Sequence, residues 1–259
     1  MMISFCFTAF RCLQSFFWFA CLGLFCVKTV AGTTYYVDIV EGVDTNSGTS
    51  IDLLWAHLPG TIGITTDISG WTVIRDGDRV IVKGGTVHYL QVKFTPEWYV
   101  GNPRFDSIQV ISGHLVSPAW GDGRAIIDGD YKRTFGVWFS GRYPDEKLSG
   151  LTLDGFEVRN IAAGAAGRGF DDSDGSSCVL VGGAYPIEYF TLRNCWIHSA
   201  LRDADDRGHG VEFSGSQHWI ITKNRIGPNI GTKGCEPYDA GMGLYRKFFL
   251  VELETIALP

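Results

Sequence analysis

Four charged residues stand five positions ahead of four copies of one short apolar motif. Lys132, Asp174, Asp206 and Asp239 precede Val137, Val179, Val211 and Leu244 by that interval. Carboxylates brought into one row repel each other unless some take up protons or a cation intervenes. Calcium, which accepts roughly six to eight oxygen ligands in loose geometry, suits such a row. Asp172 and Asp205 crowd the same side, as do Asp171 and Asp203. The candidate metal set is therefore Asp172, Asp174, Asp205, Asp206 and Asp239. A plainer reading stands beside it, because Asp and Gly turn well in any loop whether or not they bind a ligand.

The elements that would position this row are strands. Gly136-Val137-Trp138-Phe139-Ser140-Gly141, Cys178-Val179-Leu180-Val181-Gly182-Gly183 and Gly210-Val211-Glu212-Phe213-Ser214-Gly215 are three copies of one strand, and Gly243-Leu244-Tyr245 begins a fourth. They start 42, 32 and 33 residues apart. Each is followed by a second strand (Leu151 to Asp154, Phe190 to Arg193, Trp219 to Lys223) and then by one bend residue, Gly155, Asn194 or Asn224. Gly and Asn tolerate left-handed backbone angles, which such a bend needs. A third strand follows (Phe156 to Asn160, Cys195 to Ser199, Arg225 to Pro228), then a long polar loop.

A fixed order of three strands, a bend and a variable loop, repeated at near-constant period, predicts an all-β chain with one coil of a parallel β-helix per repeat. A sandwich of hairpins is the alternative, though hairpins seldom keep such an order. Alternation along the strand puts Val211 and Phe213 in the core and Glu212 outside, with Trp138 and Tyr245 likewise outward, where aromatic rings can stack on sugars. Stacked coils lie about 4.8 Å apart, which is what turns the acids into a row. On the second strand Arg193 and Lys223 fall beside Asp154 as an outward ion-paired ladder, and Cys195 and His198 on the third read as core.

Residues 1–32 are expected to be a signal peptide. Arg11 is the only charge before Lys28, the run Leu13 to Val27 is apolar, and Ala31-Gly32 suits a peptidase. An uncleaved anchor is the competing reading, for which the run is somewhat short. Removing this segment takes away two of 22 basic residues and none of 28 acids, leaving a net charge of −8. That disfavours nucleic acid and anionic membranes as partners. Four of the seven cysteines leave with it, and Cys178, Cys195 and Cys235 are too few and too odd in number for a disulfide framework.

Tyr35-Tyr36-Val37-Asp38, then Gly42, Asp44, Asn46, Gly48-Thr49-Ser50 and Trp55, and the later Asp76-Gly77-Asp78-Arg79-Val80-Ile81-Val82-Lys83-Gly84-Gly85-Thr86 resemble the start of secreted right-handed β-helix proteins of the pectate-lyase-like type. The resemblance spans roughly residues 35–245 and is specific for fold rather than substrate. It implies a single-stranded right-handed parallel β-helix with three strands per coil. It further implies a cleft over the first strand, where calcium neutralises the carboxylate of an acidic polysaccharide and a base removes the adjacent proton. Lys132, Arg133, Arg207 and His209 are the candidate bases, and Trp138, Glu212 and Tyr245 the candidate substrate contacts.

Gly208-His209-Gly210 followed by Gly215-Ser216 is also similar to a motif of polygalacturonases, which hydrolyse with paired carboxylates. The later Arg-Ile-Lys of those enzymes is missing. A glycoside hydrolase, or a non-catalytic glycan-binding surface protein, are therefore the alternatives to a polysaccharide lyase. The expected protein is a secreted or extracellular monomer, with periplasmic and cell-surface locations open. The repeat breaks at Arg246, where an apolar residue is due, so 33–245 is expected to be the N-terminal part of a longer β-helix. Residues 246–259 are expected to be a tail with no further strand, from truncation or a shifted frame.

Overall fold

The computed structural model describes residues 32–140, 147–162, 176–182, 187–201, 208–214, 217–228, 235–238 and 248–254. Among these the chain is all-β, with short strands and a single 3-10 turn at Gly113–Leu115. No helix there is long and apolar enough to cross a membrane. The segment expected to be a signal peptide lies outside the described residues except for Gly32.

The strands pair almost entirely in parallel, in three runs. The first run joins Gln91–Phe94, Phe135–Phe139, Ser176–Gly182, Gly208–Ser214 and Cys235–Tyr238. The second joins Thr34–Val37, Arg79–Val82, Ile108–Ser112, Leu151–Asp154, Ile187–Arg193 and the long strand Gln217–Ile226. The third joins Val87–His88, Ile126–Asp128, Glu157–Ala162 and Trp196–Leu201, and closes on the second half of Gln217–Ile226. Second and third runs thereby form one long sheet, compatible with a parallel β-helix.

Register explains why these sequences hold together. Val92, Val137, Val179 and Val211 are successive partners in the first run, as are Phe94, Phe139, Val181 and Phe213. All eight are buried. In the second run Tyr35, Val80, Val110, Leu153, Leu192 and Ile221 stack in the same way. Each such aliphatic side chain contributes about 2 kcal/mol when it leaves water. The rings of Phe94 and Phe139 stack at 4.8 Å, and those of Phe213 and Trp219 at 4.2 Å. At the N-terminal edge Trp55 stacks on Tyr35 at 4.8 Å and its Nε1 donates to the carbonyls of Asn46 and Gly70. The short antiparallel pairing of Thr61–Ile62 with Gln91–Phe94 covers the edge of the first run.

Three expectations need correction. The fourth place in the first run belongs to Cys235–Tyr238, with Cys235 opposite Val211, and not to Leu244. Cys235 follows Val211 by 24 residues where Val211 follows Val179 by 32, so a fixed period overshoots it. Phe248–Glu254 is a strand where none is expected, paired in parallel with Gln217–Ile226 through two register shifts. The third bend is Lys223, at φ 55°, in line with Gly155 at 81° and Asn194 at 55°. Thr222, not Lys223, therefore stands opposite Arg193.

Asn224 falls one place further, where Phe156 and Cys195 point into the core. It is buried, its Oδ1 accepting from Cys195 N at 2.8 Å and its Nδ2 donating to Leu192 O at 2.8 Å. A buried amide is tolerated because it satisfies two backbone groups that would otherwise be orphaned. Asn224→Ala is accordingly expected to cost about 2 kcal/mol. The midpoint of urea unfolding reads this directly.

Candidate functional site

The first run presents an outer face on which Lys93, Trp138, Leu180 and Glu212 are partners in successive strands. Alternation puts them opposite the buried valines and phenylalanines on either side. Trp138 is fixed from two directions. Its Nε1 donates to Gly182 O at 2.8 Å, and its ring meets Phe135 edge-on at 5.2 Å. The ammonium of Lys93 lies 3.8 Å from the centre of the Trp138 ring, so that one ring face is already covered. Burial pushes the Lys93 amine below its ordinary pKa.

Further along the row, one strand before Glu236, Glu212 is held by its neighbours. Ser177 Oγ donates to Glu212 Oε2 at 2.5 Å, and His209 Nδ1 lies 3.1 Å from the same oxygen. Ser177 and His209 are themselves partners across adjacent strands, and both are buried. The triplet Gly208-His209-Gly210 thus belongs to the strand rather than to a loop before it. Gly208 is required there, since a Cβ would come within 2.8 Å of Ala200 O and 2.9 Å of Leu201 O. Ser177 donates to the carboxylate and not to the imidazole, which is no arrangement for a serine nucleophile. It is one for holding a carboxylate in place.

The expected bases are placed differently from one another. Lys132 is exposed and its Nζ pairs with Asp130 Oδ2 at 2.5 Å. Arg133 donates from Nη1 to Gly129 O at 3.2 Å. His209 sits against Glu212. Of the remaining expected site residues, Arg207, Tyr245, Asp172, Asp174, Asp205, Asp206 and Asp239 lie outside the described residues. Asp239 was drawn into the row by counting from Leu244, and the pairing of Cys235 with Val211 removes that count. Among the described residues no three His, Cys, Asp or Glu side chains converge as cation ligands.

The chain matches no protein-family model, no curated protein and no solved structure.

The outer faces of the other runs carry ion pairs that read as structural. Arg193 Nε pairs with Asp154 Oδ2 at 2.7 Å and its Nη1 with Asp106 at 3.1 Å, the outward ladder expected of Arg193. Arg159 joins Asp128 and Glu157 at 2.7 and 2.6 Å. His198, expected in the core, stands on this outer face, 3.3 Å from Glu157 and with its ring tilted by 30° to that of Trp196 at 4.3 Å. Cys195 is in the core as expected, and burial pushes its thiol up to about 12. Lys93 and Ser177 were missed in the sequence. Gln91-Val92-Lys93-Phe94 has the alternation of the later copies, but it stands 45 residues before Val137 and lacks their flanking glycines.

Proposed function

We propose that this chain is a secreted, pectate-lyase-like right-handed parallel β-helix with three strands per coil, and that it cleaves an acidic glycan lying across the outer face of the first run. The observation that carries the proposal is that face itself. It is a regular parallel surface with a cation seated on an indole at Lys93 and an anchored carboxylate three strands along at Glu212. Polar groups and aromatic rings presented on regular strands are what a sugar polymer needs for recognition.

The reaction proposed is β-elimination. A base takes the proton beside the sugar carboxylate, the electron pair forms the double bond, and the glycosidic oxygen leaves and is protonated by water. Lys132, Arg133, Arg207 and His209 are the candidate bases. Lys132 has to leave Asp130 to act, while Arg133 serves better to hold the carboxylate, because a guanidinium does not give up its proton. Asp172, Asp174, Asp205 and Asp206 supply only hard oxygen donors, the set that suits calcium, while Asp239, which follows rather than precedes its strand, drops out of it. Calcium bound there would neutralise the substrate carboxylate.

The test is incubation of the protein with polygalacturonate, alginate and chondroitin, with calcium or with chelator. Ultraviolet-absorbing unsaturated ends that disappear with chelator are expected. Reducing ends without that absorbance point instead to hydrolysis, in which Glu212, held by Ser177 and His209, is the carboxylate to examine. Neither product from any of the three glycans overturns both enzymatic readings for them and leaves glycan binding alone.

A further inference from the structure

We propose that Lys93, seated on the Trp138 ring, is a subsite that binds a carboxylate of the ligand and fixes where along the first run the acidic unit sits. This rests on the reading that the outer face of the first run binds a glycan, but not on the reaction performed there.

Of the five lysines among the described residues three carry an ion pair, and of the other two Lys223 is exposed to water while Lys93 is half-buried. Lys83 pairs with Asp38, Lys132 with Asp130 and Lys147 with Glu188. Lys93 has none among the described residues. Its charge is met by an indole quadrupole, which attracts a cation but does not neutralise it. The side chain is half-buried, and burial works against its charged form with no anion offsetting the loss. An arriving carboxylate supplies that missing anion. It gains a charge-assisted hydrogen bond from a donor already held in place, so little side-chain ordering remains to be done.

The position is built and not incidental. Lys93 and Trp138 are register partners, and Trp138 is locked by Gly182 O and Phe135. Further along the same row stands Glu212, which repels an anion. Three coil spacings of about 4.8 Å separate Lys93 from Glu212. The row therefore has a direction, with an acidic unit favoured at the Lys93 end and disfavoured at the Glu212 end.

The experiment measures binding of polygalacturonate and of its methyl ester to the full chain, with chelator present so that no turnover is required. Lys93→Met keeps an unbranched apolar stem on the indole while removing the charge. The wild type is expected to prefer the acid over the ester by about 10-fold, and Lys93→Met to lose most of that preference with ester binding unchanged. Amine-reactive labelling of the wild type, mapped to individual lysines, gives a second readout that needs no variant. Bound polygalacturonate is expected to protect Lys93 and not Lys147. An undiminished acid preference in Lys93→Met, or equal labelling of Lys93 with and without polymer, overturns the subsite. Absence of product in the cleavage assay with protection of Lys93 intact overturns the lyase reading and leaves the subsite standing.

Discussion

Replacing Asp44 by alanine is expected to cost about 4 kcal/mol, a large share of the stability of a single domain. The Asp44 side chain is completely buried, and five donors converge on it. Oδ1 accepts from Ala56 N at 3.0 Å, His57 N at 2.8 Å and Trp71 Nε1 at 3.1 Å. Oδ2 accepts from Thr66 Oγ1 at 3.2 Å and lies 2.6 Å from His57 Nδ1. Burial works to raise this carboxyl, yet the hydrogen bonds from His57 and Trp71 outweigh it and hold the group below its ordinary pKa. These donors come from the loops that carry Trp55 onto Tyr35 at the first strand of the second run. Truncation to alanine leaves all five without their acceptor and frees the loops together. Asp44→Asn keeps the volume but turns one acceptor into a donor facing other donors, so it is expected to recover less than half of the loss. Urea unfolding of both variants measures the effect. An alanine variant within 1 kcal/mol of the wild type would show that the loops do not depend on this carboxylate.

The first run was legible in the sequence because its inward residues are large, apolar and alternate, so Val137, Val179 and Val211 align themselves. What escaped was whatever depends on loop length. A constant period points to Leu244, but Cys235 follows Val211 by only 24 residues and the chain rejoins the run early. The bend at Lys223 was hidden because lysine pays a left-handed backbone cost that its neighbours impose, while the more permissive Asn224 stands beside it and is used inside the core instead. The site divides in the same way. Glu212 and Trp138 follow from alternation along a strand. The Lys93–Trp138 contact joins strands 45 residues apart whose flanking turns differ, and the Ser177–Glu212 bond requires knowing which strands adjoin. No local pattern holds either. The acidic row is the extreme case, since its aspartates all lie outside the described residues.

The structure also predicts that stability falls as pH drops below about 6.5, and that one inward histidine accounts for most of it. His88 occupies the position in the third run that Ile127, Val158 and Ile197 occupy in the coils after it. It is 2 % exposed, and its Nε2 lies 3.0 Å from Thr86 Oγ1. Burial, with a smaller effect from His57, lowers its pKa from 6.5 to about 4. In the unfolded chain the imidazole takes up a proton near pH 6.5, whereas the folded chain resists until about pH 4. The contribution of neutral His88 is therefore fully present above pH 6.5 and is lost progressively between 6.5 and 4, by about 3 kcal/mol in all. Asp44 and Glu157 are held below their ordinary carboxylate range, so their contributions are lost only at lower pH, and the two windows separate. His114, lowered by burial and by the neighbouring Arg124 charge, adds to the same window as His88. His88→Leu continues the aliphatic stack, and Thr86 Oγ1 retains its bond to Lys83 O at 2.7 Å. The variant is expected to match the wild type within about 1 kcal/mol at pH 7.5 and to exceed it by about 2 kcal/mol at pH 4.5. Urea midpoints at the two pH values decide it, and parallel slopes for the two proteins would assign the acid sensitivity elsewhere.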